Sequence, residues 1–132
     1  MEKKYKILTE YIKDISCETP DVETYFFAKE NLSKYQLNID INSKPLKNKI
    51  IEVNVILRFE DKVLENKKSY FEITYSSVVR IENEVENKNE IKKIILCDVP
   101  RDIYPKLEQT FITLVKNSGF PDIKIEKKID FE

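Results

Sequence analysis

Apolar and polar residues alternate along much of this chain, and alternation with a period of two predicts β-strands. The first predicted strand covers residues 5–18 and ends at the turn Thr19-Pro20-Asp21, because proline cannot continue a hydrogen-bonded ladder. An aromatic run over residues 22–27 comes next. Three more alternating segments follow, with apolar positions at Leu37, Ile39 and Ile41, at Val53, Val55, Leu57 and Phe59, and at Phe71, Ile73 and Tyr75.

These three segments predict a β-meander, in which consecutive antiparallel strands share one apolar and one polar face. We expect a bend or bulge over residues 42–48, which contain Pro45, and a polar turn over residues 61–66. Strict alternation in the first strand would place Tyr11, Lys13, Ile15 and Cys17 on one face, and Ile12, Asp14, Ser16 and Glu18 on the other.

The clearest helix is predicted from about Asp102 to Asn117, where apolar residues recur at helical spacing. Pro105 is expected in its first turn, and Gly119 is expected at a left-handed C-terminal cap. The stripe is expected to pack on the apolar face of the sheet, although a partner-binding helix face would have the same pattern. It consists of Ile103, Leu107, Phe111, Leu114 and Val115.

Two weaker elements complete the prediction. A polar loop over residues 82–90 precedes a short helix over residues 90–97, capped by Asn89 and separated from the long helix by Pro100. A last strand is expected over residues 123–125. Antiparallel strands together with a long helix at the end of the chain predict the α+β class. The whole chain, residues 1–132, is expected to form a single domain.

Composition excludes several classes of function. The 23 basic and 24 acidic residues nearly balance, which argues against a nucleic-acid partner. The chain has no histidine, which excludes imidazole-based catalytic triads and most zinc sites. It has one glycine, which excludes glycine-rich phosphate-binding loops. We therefore expect no enzyme, no cofactor and no metal site, although chemistry based on carboxylates or lysine alone is not excluded by composition.

Cellular location also follows from composition. No apolar segment is long enough to span a membrane, and the N-terminus lacks the apolar stretch of a signal peptide. Cys17 and Cys97 are too few for a disulfide framework and lie in apolar-patterned segments, so we expect buried free thiols. The protein is therefore expected in the cytoplasm, without membrane insertion.

Several segments, taken in order, resemble the SecB family of bacterial export chaperones. The strand Tyr11-Ile12-Lys13-Asp14-Ile15-Ser16-Cys17-Glu18-Thr19-Pro20 is similar to the opening strand of that family. Residues 52–81 match its central hairpin without a gap. The third block, residues 97–131, contains Cys97, Pro100, Tyr104-Pro105, Gly119-Phe120-Pro121 and Asp130-Phe131 in family order.

The sequence departs from the family pattern at two places. Ser76-Ser77 stands where family members often carry two adjacent glycines. The sequence also stops where the family usually continues into a further C-terminal helix and an acidic tail, so we expect that appendage to be lacking. Because the helix is associated with client binding and with the motor SecA, both functions are expected to be affected.

The resemblance implies an α+β fold with a four-stranded antiparallel sheet, a meander plus a crossover, and with helices packed on one face. It also implies an ATP-independent holdase for nonnative polypeptides, assembled as a dimer of dimers, that delivers preproteins to SecA. In the family, acids on the polar sheet face dock SecA. Ordinary solvated strand acids would have the same pattern. The matching residues here are Asp14, Glu18 and Glu72, with Tyr70 at the position of an apolar contact.

Client binding would need exposed apolar grooves, and an oligomer would need a buried interface. Each of the candidate residues could instead be part of the hydrophobic core. The candidate client groove consists of Tyr25, Phe26, Phe27, Leu37, Ile39, Ile41, Tyr104 and Phe120. The candidate oligomer interface consists of Phe71, Ile73 and Tyr75.

Two other functions are compatible with the same sequence pattern. A SecB-like chaperone dedicated to one partner, such as an antitoxin, would keep the fold and change the client. A small-ligand carrier or a carboxylate enzyme would place an enclosed pocket with convergent polar groups between helix and sheet.

Overall fold

The computed structural model describes residues 4–60, 69–83 and 85–121. The predicted turn over residues 61–66, the predicted strand over residues 123–125 and the Asp130-Phe131 pair lie outside these residues. The strands are β1 (Tyr5–Glu18), β2 (Gln36–Pro45), β3 (Ile50–Glu60) and β4 (Tyr70–Ile81), and the α-helices are α1 (Val22–Asn31), α2 (Lys88–Lys93) and α3 (Val99–Asn117).

The four strands form one antiparallel sheet in the order β1-β4-β3-β2. The strands β2, β3 and β4 are consecutive in the chain and adjacent in the sheet, which confirms the predicted meander. The segment containing α1 carries the chain from β1, at one edge, to β2 at the other edge. This is the predicted crossover. The strand β2 continues to Pro45, so the interruption expected from residue 42 onward is wrong.

The strand β1 does not alternate strictly, because two register shifts interrupt its pairing with β4. They lie between Ile7 and Thr9 and between Ile12 and Asp14. Each shift adds one unpaired residue and therefore exchanges the faces of the residues beyond it. Ile12 pairs with Tyr75, and Ile15 and Cys17 pair with Ile73 and Phe71, so all three lie on the core side of the sheet.

The predicted face assignment of β1 is consequently wrong for Ile12 and Tyr11. Ile12 lies on the core side together with Ile15 and Cys17, and Tyr11 pairs with Ser76 on the opposite side. The assignment of Asp14 and Glu18 to one shared face is correct, because both follow the second shift.

Helix α3 covers the apolar face of β3 and β4. Ile103, Leu107, Phe111 and Val115 are all fully buried, which confirms the packing role predicted for the stripe. The ring centroid of Phe111 lies 5.1 Å from that of Phe59 on β3, in an edge-to-face arrangement that aromatic pairs favour.

The boundaries of α3 differ from the prediction. The helix begins at Val99, with Pro100 near its start, so Pro100 does not break the chain and Pro105 lies inside the helix. A π-helical turn over Ile94–Asp98 connects α2 directly to α3. Gly119 has a φ of +93°, in agreement with the predicted left-handed cap.

The segment before α3 also contributes to the core. Val85 is buried in a second apolar cluster with Val53 and Ile94, although it lies in the segment predicted as a polar loop. The side chain of Asn87, and not that of Asn89, caps α2 by accepting a hydrogen bond from the Asn89 backbone N–H at 2.8 Å. The burial of Val85 could not be predicted from the sequence, because the residues around it are polar.

The aromatic run over residues 22–27 forms helix α1. Asp21 caps it, because its Oδ1 accepts a hydrogen bond from the Thr24 backbone N–H at 2.7 Å. Thr24 and Ala28 are buried against the rest of the molecule. None of the helices in the described ranges combines the length and the apolar character needed to cross a membrane.

Candidate functional site

The open face of the sheet, opposite the helices, brings together the four residues predicted to dock a partner. Asp14 pairs with Thr74, and Glu18 pairs with Tyr70, which is two residues from Glu72 on β4. Side chains of residues that differ by an even number along a regular strand lie on the same face. The four side chains therefore share one end of the open face, where β1 ends and β4 begins.

Glu18 and Tyr70 contact each other directly. The Tyr70 hydroxyl donates a hydrogen bond to Glu18 Oε2 at 3.3 Å. Partial desolvation and the nearby Glu18 charge both raise the pKa of Tyr70, so it remains a neutral donor at physiological pH. Asp14 and Glu18 are exposed, and neither has a cationic partner among the residues that the structure describes.

Glu72 has a different environment, which involves a residue that the sequence did not indicate. Arg58 on β3 donates from Nε to Glu72 Oε1 at 2.7 Å and from Nη1 to Asp40 Oδ2 at 2.5 Å. The hydrogen bond to Glu72 and the two negative charges raise the pKa of Arg58 further. The contact follows from the register of β3 and β4, in which Arg58 pairs with Glu72. Without that register, the sequence does not indicate the contact.

A chain of polar side chains lies in the middle of the same face. Ser76 donates a hydrogen bond to Asn54 Oδ1, and Asn54 Nδ2 donates to Asn42 Oδ1 at 2.8 Å. Ser76 is fully buried and Asn54 nearly so, and the hydrogen bonds offset the cost of burying them. Ser76 and Ser77 are thus compact residues with no exposed surface, at the site where family members often carry glycine.

Two of the residues predicted for the client groove are not available to a client. Tyr104 and Phe120 are 8% and 4% exposed, and both belong to the main core cluster. The prediction is wrong for them because α3 and the turn after it fold both rings inward. The Phe120 ring packs against Phe71, at 5.8 Å between centroids, and against Tyr25, at 5.1 Å.

The remaining groove candidates retain exposed surface. Phe26 on α1 is 57% exposed, and Val22, one turn earlier on the same helix, is 62% exposed. Tyr25 is half-buried because its ring covers Phe120 and its hydroxyl donates a hydrogen bond to the Gly119 carbonyl. Phe27 is also half-buried.

The strand β2 contributes a second apolar surface. Leu37, Ile39 and Ile41 are half-buried, pack against the main core cluster and lie on the helix side of the sheet. Among the described strands, β2 lies at the edge of the sheet, so only one of its two sides is paired with another of these strands. Its other side presents backbone N–H and C=O groups.

The predicted oligomer interface is wrong for Phe71 and Ile73, whereas Tyr75 keeps a small exposed surface. Phe71 and Ile73 are fully buried and Tyr75 is 7% exposed, because α3 covers them within one chain. Side chains without exposed surface cannot contact a second copy. Exposed apolar side chains on the core side of the sheet lie instead at the β1 edge, where Ile12 and Ile15 are 47% and 42% exposed.

An open pocket lies between β1 and α3, beside Ile12. Its volume is about 660 Å³, and Lys106 and Glu10 form an ion pair of 2.7 Å in its wall. It is not the enclosed pocket with convergent polar groups that a small-ligand carrier or a carboxylate enzyme would need. The other lining residues are Tyr11, Ile12, Tyr75, Gln109, Thr110 and Thr113.

Among the described residues, no group of three or more histidine, cysteine, aspartate or glutamate side chains is arranged to hold a metal ion. Cys17 is exposed and Cys97 is half-buried, so the expectation of two buried thiols is wrong. Cys17 lies near the end of β1, at one edge of the sheet that the described strands form.

Comparison with known proteins finds similarity along the whole chain. The family described as preprotein translocase subunit SecB matches residues 1–132. The chain is 58% identical over 131 residues to a candidate SecB protein-export protein of Pelagibacter ubique, covering 99% of this chain and 94% of that one. It is 30% identical over 125 residues to the protein-export protein SecB of Xanthobacter autotrophicus, covering 95% and 78%.

A solved structure has the same fold at low sequence identity. The SecB-like chaperone Rv1957 of Mycobacterium tuberculosis, in complex with a peptide from the HigA1 antitoxin, superposes with a TM-score of 0.71 at 10% identity. The match covers 93% of this chain and 86% of that one, which confirms the SecB-like α+β fold. With the family matched along its whole length, this chain belongs to the SecB family of protein-export chaperones.

Proposed function

We propose that this protein is an ATP-independent holdase that binds nonnative polypeptides in the cytoplasm and passes preproteins to a SecA-type motor. The observation that carries the proposal is the match of the preprotein translocase subunit SecB family to residues 1–132. The protein acts by binding and not by catalysis, so nucleotides, cofactors and metal ions are not required.

The client surface comprises α1 and the edge strand β2. Phe26 and Val22 offer apolar contact that does not depend on one client sequence, and half-buried Ile39 offers more at the sheet edge. The unpaired side of β2 offers backbone N–H and C=O groups, with which the backbone of any extended polypeptide can form hydrogen bonds. Shape-tolerant apolar contact combined with backbone pairing suits a binder of many unfolded sequences.

Aggregation of a chemically denatured test protein, followed by light scattering without nucleotide, tests this proposal. The wild-type protein should suppress aggregation, and Phe26→Ser should weaken suppression about threefold, since it removes exposed apolar contact. Leu96→Ser is the matched control, because Leu96 is also exposed but lies in the π-helical turn. Absence of suppression by the wild-type protein would refute holdase activity, and suppression for one client alone would favour a dedicated chaperone.

The open face is proposed to dock the motor. Asp14 and Glu18 present exposed carboxylates beside Tyr70, and a basic partner surface would be attracted to them in a salt-dependent manner. The double substitution Asp14→Asn with Glu18→Gln should weaken binding to purified SecA several-fold in biosensor measurements. Glu23→Gln on α1 removes a charge elsewhere and should leave binding unchanged. Equal affinities for all three proteins would contradict this surface.

A homo-oligomer, a dimer of dimers, is proposed to form through the β1 edge. Ile12 and Ile15 place apolar surface next to the unpaired side of that strand, which supports pairing with a second copy. Size-exclusion chromatography with light scattering should show a tetramer for the wild-type protein and a smaller species for Ile12→Ser with Ile15→Ser. Leu46→Ser, at an exposed leucine in the β2–β3 turn, is the control. A wild-type monomer would refute the assembly.

A further inference from the structure

We propose that Arg58 determines which carboxylates of the open face a basic partner can use, by occupying Glu72 and Asp40 and leaving Asp14 and Glu18 available. This inference rests on the docking role proposed above for the open face. It assigns to Arg58, a residue of the same chain, the function of a built-in competitor for the partner's cations.

The geometry lets Arg58 hold both carboxylates at once. Glu72 on β4 is its direct cross-strand partner, and Asp40 on β2 is two residues from its other partner, Asn38. The two contacts use different nitrogen atoms, Nε at 2.7 Å and Nη1 at 2.5 Å, so neither excludes the other. The planar guanidinium therefore connects three neighbouring strands of the face.

The four carboxylates consequently divide into two classes. Glu72 and Asp40 already have a cation at hydrogen-bond distance, and a partner lysine or arginine must displace Arg58 to reach them. That exchange replaces one ion pair by another and yields little net attraction. Asp14 and Glu18 have no cation to displace among the described residues, so a partner gains a new ion pair there.

The two classes of carboxylate should respond differently to substitution. Glu72→Gln should change the affinity for a basic partner less than twofold, whereas Glu18→Gln should weaken it about threefold or more. Arg58→Gln frees two carboxylates and removes a positive charge from the docking area, so it should strengthen binding about three- to tenfold at low salt.

Arg80 provides a matched control on the same face. It lies on β4 eight residues from Glu72, which is roughly 26 Å along a strand, or about two Debye lengths at 50 mM salt. It is exposed and pairs in register with Lys6 and Ile50, and no carboxylate contacts it among the described residues. Arg80→Gln therefore makes the same change in net charge without releasing a carboxylate.

The test uses the full-length protein and a fluorescent decalysine peptide as the basic probe, with fluorescence anisotropy at 50 mM and 500 mM salt. Arg58→Gln should bind about three- to tenfold more tightly than wild type at 50 mM salt, and Arg80→Gln should bind as wild type does. At 500 mM salt the difference should vanish. Adding Asp40→Asn and Glu72→Gln to Arg58→Gln should abolish the gain.

Equal or weaker binding by a folded Arg58→Gln protein would overturn the proposal, as would a gain that persists without Asp40 and Glu72. If circular dichroism shows that Arg58→Gln is unfolded, the comparison of Glu72→Gln with Glu18→Gln decides the question in its place. Equal losses from those two variants would also overturn it.

A parallel measurement with SecA separates this inference from the function on which it rests. Failure of the wild-type protein and of Arg58→Gln to bind SecA would refute the proposed motor docking, while the decalysine comparison would still decide the role of Arg58. Binding of SecA by wild type, without a gain for Arg58→Gln, would refute the role of Arg58 alone.

Discussion

The pair Phe26 and Phe120 tests the separation between client surface and core, because the two rings have similar chemistry and opposite burial. Phe120 is 4% exposed and packs against the rings of Phe71 and Tyr25. Replacing a buried phenylalanine by alanine removes its transfer free energy and leaves a cavity, at a cost of about 3–5 kcal/mol. Phe120→Ala should therefore lower the free energy of unfolding by about that amount.

Phe26 should behave in the opposite way. Its side chain is 57% exposed, so a little under half of the burial free energy of a phenylalanine, or about 1 kcal/mol, is lost in Phe26→Ala. No closed cavity results, because solvent already contacts the ring. The stability difference between the two variants should thus be about 2 kcal/mol or more, while client affinity should fall for Phe26→Ala.

Urea unfolding followed by circular dichroism measures the first quantity, and aggregation suppression at a temperature where all proteins are folded measures the second. Protomer concentration must be equal in all samples, because an oligomer unfolds in a concentration-dependent way. Equal stability losses, or a loss of client binding for Phe120→Ala at full folding with none for Phe26→Ala, would refute the assignment of the two rings.

Three further predictions concern stability. Burial raises the pKa of Tyr104 to about 12, so stability should fall as pH rises from about 10, where the unfolded chain ionises, toward 12, and Tyr104→Phe should reduce that loss in urea titrations at pH 7.5 and 11. The hydrogen bond from Lys13 lowers the pKa of Glu52, so the pair should stabilise the fold above about pH 4 and lose its effect in more acid solution. Glu52→Gln should cost about 0.5 kcal/mol at pH 7 and almost nothing at pH 3, and an equal cost at both would contradict the ion pair. Gly119→Ala should cost about 1 kcal/mol or more in thermal unfolding, because its φ is +93° and the new Cβ would lie 3.3 Å from the Tyr25 ring, whereas an unchanged midpoint would argue against the left-handed cap.

The sequence correctly predicts which residues of a strand are buried where burial alternates strictly along the strand. In β3, Val53, Val55 and Leu57 are all fully buried, as their alternation predicts. In β1 the same reasoning gave the wrong face for Ile12, because the two register shifts each add a residue that local pattern does not reveal.

Which aromatic residues face solvent could not be predicted, because burial depends on elements distant in the chain. Phe120 is covered by Tyr25 of α1, and nothing in the residues around position 120 indicates that contact. The same limit concealed Arg58 among 23 basic residues, since its two carboxylates lie on neighbouring strands. Strand register and the packing of distant elements are properties of the tertiary structure. They decide whether an aromatic ring is buried or exposed, and whether a charged side chain has a partner.

The two register shifts in β1 bear on how this family can change in length. The strand has 14 residues and β4 has 12, and the two residues of β1 without a partner in β4 are Leu8 and Lys13. Deleting either one would leave every other residue of β1 with its present partner and its present face. Deleting a paired residue would instead move its neighbours to the wrong side of the sheet. Natural insertions and deletions in this strand should therefore concentrate at these two positions, and sequence alignments that ignore them would pair core residues with solvent-facing ones.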